Sequence, residues 1–362
     1  MKKLSRGSLV LVAGLALGLA LTASATGTTK KHASKVRHFQ GRIQALAMDG
    51  SRIAYGIEPT STKNRVVVWN ARTGRAVKVS GTQTAQTGDS STGSGLFEVA
   101  IAGTRVAWLA NVGGNLEEDD YLFASSVKKP KEQKVASVQR TGDACSVGSP
   151  LNAQCAGSSL LGLVGSGHVI ALTRWTVDTQ PMAVQSANLL VLGKTVKPVA
   201  TDTPPFLSVD ADAGRIAALR SPQDLTLYSQ GGKLLLTVHP SSAAAVGLSG
   251  RNLVVLDNNR TIELFDAQTG ALRKTFAARG TVQPRNLGVQ GNVAIYTTGS
   301  AVHAVNLSSG KDRVVAEHRG GPLFARIDSA GLVHASNGYA AANAPKGTIV
   351  FVPFARVAAA VG

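Results

Sequence analysis

Seven copies of a glycine-punctuated apolar hairpin, each followed by a third apolar strand and a more polar fourth, predict an all-β protein. The expected form is a seven-bladed β-propeller of four-stranded antiparallel blades, its ring closed by an N-terminal strand. Two further observations support this. The hairpin anchors Gly50, Gly103, Gly167, Gly214, Gly250, Gly291 and Gly331 recur 36 to 64 residues apart, the range of a propeller repeat whose early copies carry insertions. A tight turn shared by several copies, Asx-x-x-[Thr/Ser]-Gly, follows the third strand at residues 70–74, 266–270 and 306–310.

In chain order, residues 1–25 read as a cleavable export signal. Lys2, Lys3 and Arg6 supply the charged start, an uncharged run follows over 8–21, and Ala23-Ser24-Ala25 offers small residues before Thr26. That run is short for a bilayer, which needs about 20 apolar residues, so no membrane span is expected after cleavage; an uncleaved anchor is the competing reading. Residues 26–35 read as a disordered basic segment and 36–357 as one propeller domain, with 358–362 a tail.

Within the domain, the first hairpins read MDGSRIAYG, IAGTRVAWL, GSGHVIALT, ADAGRIAAL, LSGRNLVVL, VQGNVAIYT and DSAGLVHAS. Glycine suits their turns because two-residue hairpins need φ > 0, which a Cβ resists. Third strands are expected at 65–69, 121–124, 189–192, 225–228, 261–265, 301–305 and 348–352. Polar fourth strands follow, for example at 75–79, 233–238, 272–277 and 313–317. The seventh copy has no fourth strand of its own, and residues 36–40 resemble the segments that precede other first strands. They are therefore expected to pair near Ile349 and cover two sheet edges; residues 355–359 are the competing fourth strand. No helix is strongly written.

The repeats are similar to those of bacterial propellers of the quinoprotein-like and TolB-like kinds, in which Asp-x-x-Thr-Gly turns such as 266–270 and strands such as Arg52-Ile53-Ala54-Tyr55 are common. The resemblance covers roughly residues 36–357 and implies architecture. It departs from the quinoprotein pattern, since no tryptophan follows Gly270 up to Phe276, and no Gly-His with Trp-Asp pair of the WD-repeat kind occurs. No cofactor is expected.

The chain carries a net charge of +17; less the three leader cations this is +14, a field that draws anionic polymers. Lys128, Lys129 and Lys131 form one cluster and Lys30, Lys31, Lys35 and Arg37 another. Export, and the lack of a basic stripe interleaved with aromatics, count against nucleic acid. The two cysteines, Cys145 and Cys155, read as a disulfide that clips one loop, worth about 2–3 kcal/mol.

Long insertions at 58–64, 81–95, 111–120, 139–158 and 175–186 all fall on one face of blades 1–3, where strand two meets strand three or blades join. Loops over a rigid scaffold are where recognition usually sits. The candidate binding residues there are Glu117, Glu118, Asp119 and Asp120, read as an acidic loop, with Arg174 and Trp175. Glu98, Arg285 and Arg326 sit near the starts of first strands and are expected at the rim of a central channel. The histidines are scattered in sequence without metal-ligand spacing, so no catalytic or metal residue is assigned. The reading is of a monomeric, non-catalytic binding or scaffolding propeller, extracytoplasmic, whose partner is a protein, a glycan or an anionic envelope polymer. An extracellular lyase or hydrolase acting on polysaccharide is the alternative.

Overall fold

The structure is a computed structural model. It describes residues 33–362 other than 59–62, 88–94, 114–115, 143–154, 180–181, 203–205, 281, 319–322 and 339–345. The described chain is almost entirely antiparallel β. After β1 (Lys35–Gln40) come β2 (Arg42–Asp49), β3 (Arg52–Glu58), β4 (Arg65–Asn70), β5 (Ala76–Lys78) and a short α1 (Thr82–Gln86). There follow β6 (Gly95–Ala102), β7 (Arg105–Gly113), β8 (Glu117–Ser126), β9 (Gln133–Gly142), β10 (Cys155–Ser166), β11 (Val169–Thr179), β12 (Met182–Leu192) and β13 (Val196–Asp202). The strands shorten in β14 (Ser208–Asp212), β15 (Arg215–Ser221), β16 (Asp224–Ser229), β17 (Leu234–Val238), β18 (Ala245–Ser249), β19 (Asn252–Leu256), β20 (Thr261–Asp266) and β21 (Leu272–Ala277). The chain ends with β22 (Val282–Gln290), β23 (Val293–Thr298), β24 (Ala301–Asn306), β25 (Asp312–Glu317), β26 (Leu323–Ile327), β27 (Gly331–Gly338), β28 (Lys346–Pro353) and α2 (Phe354–Val361).

Among the described residues, β2–β5, β14–β17, β18–β21 and β22–β25 each form a four-stranded meander, and β26, β27 and β28 take β1 as their fourth strand. The expected pairing of the N-terminal strand holds in register, with Arg37 opposite Ile349 and Lys35 opposite Phe351. The remaining eight strands, β6–β13, make one sheet where two separate blades were expected. Among the described residues the two halves are bonded through Arg140–Gly142 of β9, which runs antiparallel beside Cys155–Gly157 of β10. Among the described residues no sheet closes on itself. The first strands nevertheless lie side by side in succession, β2 on β6, β6 on β10, β10 on β14, β14 on β18, β18 on β22, β22 on β26, and β26 back on β2.

The packing follows the strand period. In β3, β7, β15 and β23 most side chains, and all the central ones, are buried, since each lies inside a sheet and is covered by neighbouring sheets on both faces. Fourth strands are largely exposed, as in β21. The core is a series of clusters between neighbouring sheets, such as Trp108 with Val68, Val99 and Phe123, or Tyr296 with Val254, Leu264 and Val289.

Six of the seven anchor glycines have left-handed φ, from 53° to 80°. The seventh, Gly331, opens β27 for another reason: a Cβ there would lie 2.2 Å from the Val352 carbonyl. The repeated Asx turns share one hydrogen-bond pattern. Asn70 Oδ1 accepts from the amides of Arg72 and Thr73, Asp266 Oδ1 from Gln268 and Thr269, and Asn306 Oδ1 from Ser308 and Ser309, all at 2.9–3.2 Å.

Two short helices, neither strongly written in the sequence, are present among the described residues. In α1, Glu132 supplies the N-terminal acceptor, taking the amides of Gly81 and Gln83 at 2.7 and 3.0 Å. In α2, the i, i+4 pair Val357 and Val361 is buried against Val302, Leu332 and neighbours, so residues 355–359 are not a fourth strand. Most of the expected 358–362 tail belongs to this helix. Residues 1–25 and Cys145 lie outside the described residues, as does the side chain of Cys155.

Candidate functional site

First strands converge on a cavity of about 500 Å³, lined by Asp49, Asp210, Asp212, Asn286, Arg326 and Asp328 among others. Glu98, also on a first strand, accepts from the amides of Gly162 and Leu163 in β10, the former at 3.1 Å. Asp210 in β14 accepts from the Leu248 amide of β18 at 2.7 Å. Arg326 Nη1 donates to Asn286 Oδ1 at 2.7 Å and to its neighbour's carbonyl, Ala325 O. Asn286 holds this place in an irregular stretch of β22 with φ 67°, its amide nitrogen reaching Thr297 Oγ1 and the Leu323 carbonyl.

These charges tune each other. Burial pushes the Glu98 carboxyl up and Asp210 up to about 7, against their backbone donors and the pull of Arg326. Burial likewise draws the guanidinium of Arg326 down, while Asp210 and Glu98 hold it up. Both carboxylates are spent on the amides of a neighbouring first strand, and Arg326 acts on them through its charge while its own bonds go to Asn286 and the Ala325 carbonyl.

The same device recurs at the ends of the first strands. Asp328 accepts from the Gly50 amide, Asp49 from Gly103 at 2.5 Å and Gly167 at 3.1 Å, Asp212 from Gly250 at 2.7 Å, and Ser249 from Gly291 at 3.1 Å. Four of the six sheets hand an acceptor to the turn of another in this way. Ala102 has none to give, and Asp49 serves two turns.

The acidic run is not a loop. Glu117 to Asp120 lie in β8, so successive side chains alternate between faces. Glu118 and Asp120 are buried; Glu117 is exposed and Asp119 half-buried. Glu118 pairs with Arg140 and takes a bond from Asn111 Nδ2 at 2.6 Å. Asp120 accepts from the Leu160 amide of β10 at 3.0 Å and is raised to about 7, chiefly by burial. Glu117 receives Gln139 Nε2 at 2.5 Å, and Asp119 receives the Tyr121 hydroxyl at 3.1 Å. The insertions at 111–120 and 175–186 are largely longer strands, because their alternating residues extend the ladder in preference to looping.

Arg174 is exposed on β11, whereas Trp175 beside it is buried with Leu189 and Phe206, its indole nitrogen without a partner among the described residues. Arg285 lies in β22 next to Asn286, but its side chain is outside the described residues. The structure thus places Glu98 and Arg326 on first strands, where they act on each other through charge, and Glu118 with Asp120 on one face of β8.

Sequence reasoning missed Asp210, Asn286 and the strand-end acceptors. Their signals were present: an acid inside an otherwise apolar first strand, Pro-Arg-Asn inside another, and a polar residue before most anchor turns. It also missed that histidines distant in sequence meet. His318 Nε2 lies 2.8 Å from His334 Nδ1, and His318 Nδ1 lies 2.8 Å from Ser336 Oγ. Burial pushes His334 down to about 4, with His318 adding to the shift. Elsewhere His303 Nδ1 contacts Asp312 at 2.9 Å, and the Tyr296 hydroxyl donates to the same carboxylate at 2.5 Å.

No family model matches the chain, and no curated protein matches it. Among solved structures it is similar to BamB from Moraxella catarrhalis (14% identity, 86% of this chain and 85% of that one, TM-score 0.44). It is also similar to the computationally designed Ika8 protein (10% identity, 87% and 98%, TM-score 0.47). Among the described residues no helix is long and apolar enough to cross a membrane, and no group of three or more His, Cys, Asp or Glu is placed to hold a metal.

Proposed function

We propose that this chain is a seven-bladed propeller of the quinoprotein-like or TolB-like kind. It is exported by residues 1–25, monomeric, and works outside the cytoplasm as a non-catalytic binding or scaffolding protein. The cyclic succession of first strands supports the ring, with β1 supplying the last blade's fourth strand. The observation that carries the binding role is the lengthening of the strands in two neighbouring units. β8 and β9 have 10 residues, β10 has 12, and β11 and β12 have 11, against five or six in β14 and β16–β21. These hairpins present Glu117 and Asp178 to solvent on a frame tied by Glu118, Arg140 and Asp120. Loops and hairpin tips on rigid scaffolds are common recognition surfaces.

The test is site-specific photocrosslinking in intact cells. A probe at Glu117 or Asp178 is expected to trap one discrete partner, while a probe at Thr73 on the opposite ends of the strands traps none. Identical products from all three positions would overturn the reading. N-terminal sequencing of the same protein is expected to begin at Thr26.

A second reading, a hydrolase, draws on the Ser336–His318–His334 chain, in which a hydroxyl meets an imidazole backed by another. Labelling of Ser336 by a fluorophosphonate, lost in His318→Gln, would favour it.

A further inference from the structure

On the side of the tight turns, opposite the long hairpins, lies an open groove of about 790 Å³ between the turns that link β8 to β9 and β12 to β13. Its ionisable lining is Arg105, Lys129, Lys131 and Lys194, with no acid. Among the described residues none of the four takes part in an ion pair. Exposed Lys128 adjoins them, and Lys134 sits 5.0 Å over the Tyr121 ring.

One acid does belong to this stretch of sequence, and the fold removes it. Glu132, between Lys131 and Gln133, turns away to cap α1, where it takes the amides of Gly81, Gln83 and Thr84 and the Thr84 hydroxyl. The cations are therefore left uncompensated. The groove's walls are also fixed. Lys131 and Lys128 amides donate to Ser125 Oγ and Ser126 Oγ at 3.1 and 3.3 Å, and Arg105 Nη2 reaches across to the Gly193 carbonyl at 2.8 Å. Because the serine oxygens act there as acceptors, their hydroxyl hydrogens remain to be donated.

The geometry points to this groove as a docking site for a linear anionic glycan, a saccharide chain bearing carboxylates along its length. Four cations spread over three chain segments match a row of charges better than a single ion. The serine hydroxyls of Ser125 and Ser126 between them suit sugar hydroxyls. Single-stranded nucleic acid is the less fitting polyanion, because its bases seek aromatic platforms and no ring lines the groove. The inference names a partner for the scaffold proposed above but uses a different face, so the two can fail independently.

Size-defined oligogalacturonate is the probe, with neutral dextran and a single-stranded oligonucleotide as comparisons, each titrated by calorimetry at several salt concentrations. The intact chain is expected to bind oligogalacturonate and not dextran. The triple variant Lys129→Ala, Lys131→Ala, Lys194→Ala should lose at least about tenfold in affinity and flatten the dependence of log K on log salt by about 2. The control Lys78→Ala, Lys233→Ala, Lys346→Ala removes equal charge elsewhere and should change affinity less than threefold. A Gln version of the groove triple guards against a folding defect, with thermal melts as the check. Equal loss in both triples, or no loss in either, would overturn the site. Tighter binding of the oligonucleotide would overturn the glycan. Crosslinking at Glu117 and Asp178 would be untouched by any of these outcomes.

Discussion

A single side chain such as Glu118 shows how much of this protein's polar chemistry is spent inside it. Its carboxylate is buried with Arg140 and Asn111, and removing one member of such a pair strands the other. Arg140→Met is therefore expected to lower unfolding free energy by about 3–5 kcal/mol. Adding Glu118→Leu should recover most of the loss, read as denaturant midpoints at constant m. His334 makes a complementary case through protons. Its folded value, near 4, lies below the ordinary 6.5, so between those limits the unfolded chain binds more protons and stability falls as pH drops. In His334→Gln the loss of melting temperature from pH 6.5 to 4.5 should shrink; an unchanged slope would mean that His334 titrates normally.

At the scale of the element, turns decide where strands stop, and two glycines isolate two costs. Gly74 and Gly310 both have φ near 77°, 79° and 75° respectively. A Cβ on Gly74 meets nothing within 4 Å, whereas one on Gly310 would lie 2.7 Å from the Phe276 ring. Gly74→Ala should cost about 1 kcal/mol for the left-handed backbone alone. Gly310→Ala should cost clearly more, by chemical denaturation, because Phe276 must also move. These turns were legible in the sequence, since Asx, Thr or Ser, and Gly act locally and carry their own geometry. So were the strands, through period and punctuation. The long hairpins were not, because Ser- and Thr-rich insertions have the composition of loops, and only pairing across the ladder turns Glu117 to Asp120 into alternating buried and exposed positions. Helix α2 escaped notice for the same kind of reason: Val357 and Val361 define a face only when something lies opposite. Glu98 and Arg326 were expected near the starts of first strands, and they lie instead inside β6 and next to the end of β26, because the ladder begins earlier than the apolar pattern suggests. Asp210 and Asn286 depend on which neighbouring sheet supplies an amide or a guanidinium, a fact that no local window contains.

Over the whole molecule the buried Asp120, Asp210 and Asp328 pull stability against pH in the direction opposite to His334. Asp120 and Asp210 near 7 and Asp328 near 6 are raised by burial above their ordinary 3.8. The folded chain therefore holds protons that the unfolded chain has released, and these groups stabilise less as pH climbs from about 4 to 7. Asp210→Asn keeps an acceptor for the Leu248 amide and removes one titration. The decline of melting temperature between pH 5 and 7.5 should be shallower in that variant, and an equal decline would assign the effect elsewhere.

The pairing of β1 with β28 sets an order of events. The strand made first is used last: Lys35 to Gln40 leave the ribosome with no neighbour to join, and the neighbour is completed only when Pro353 has been made. Until that pairing forms, the outer edge of β28 and the whole of β1 lack their ladder partner, so the last sheet is the one whose completion joins the two ends of the described chain.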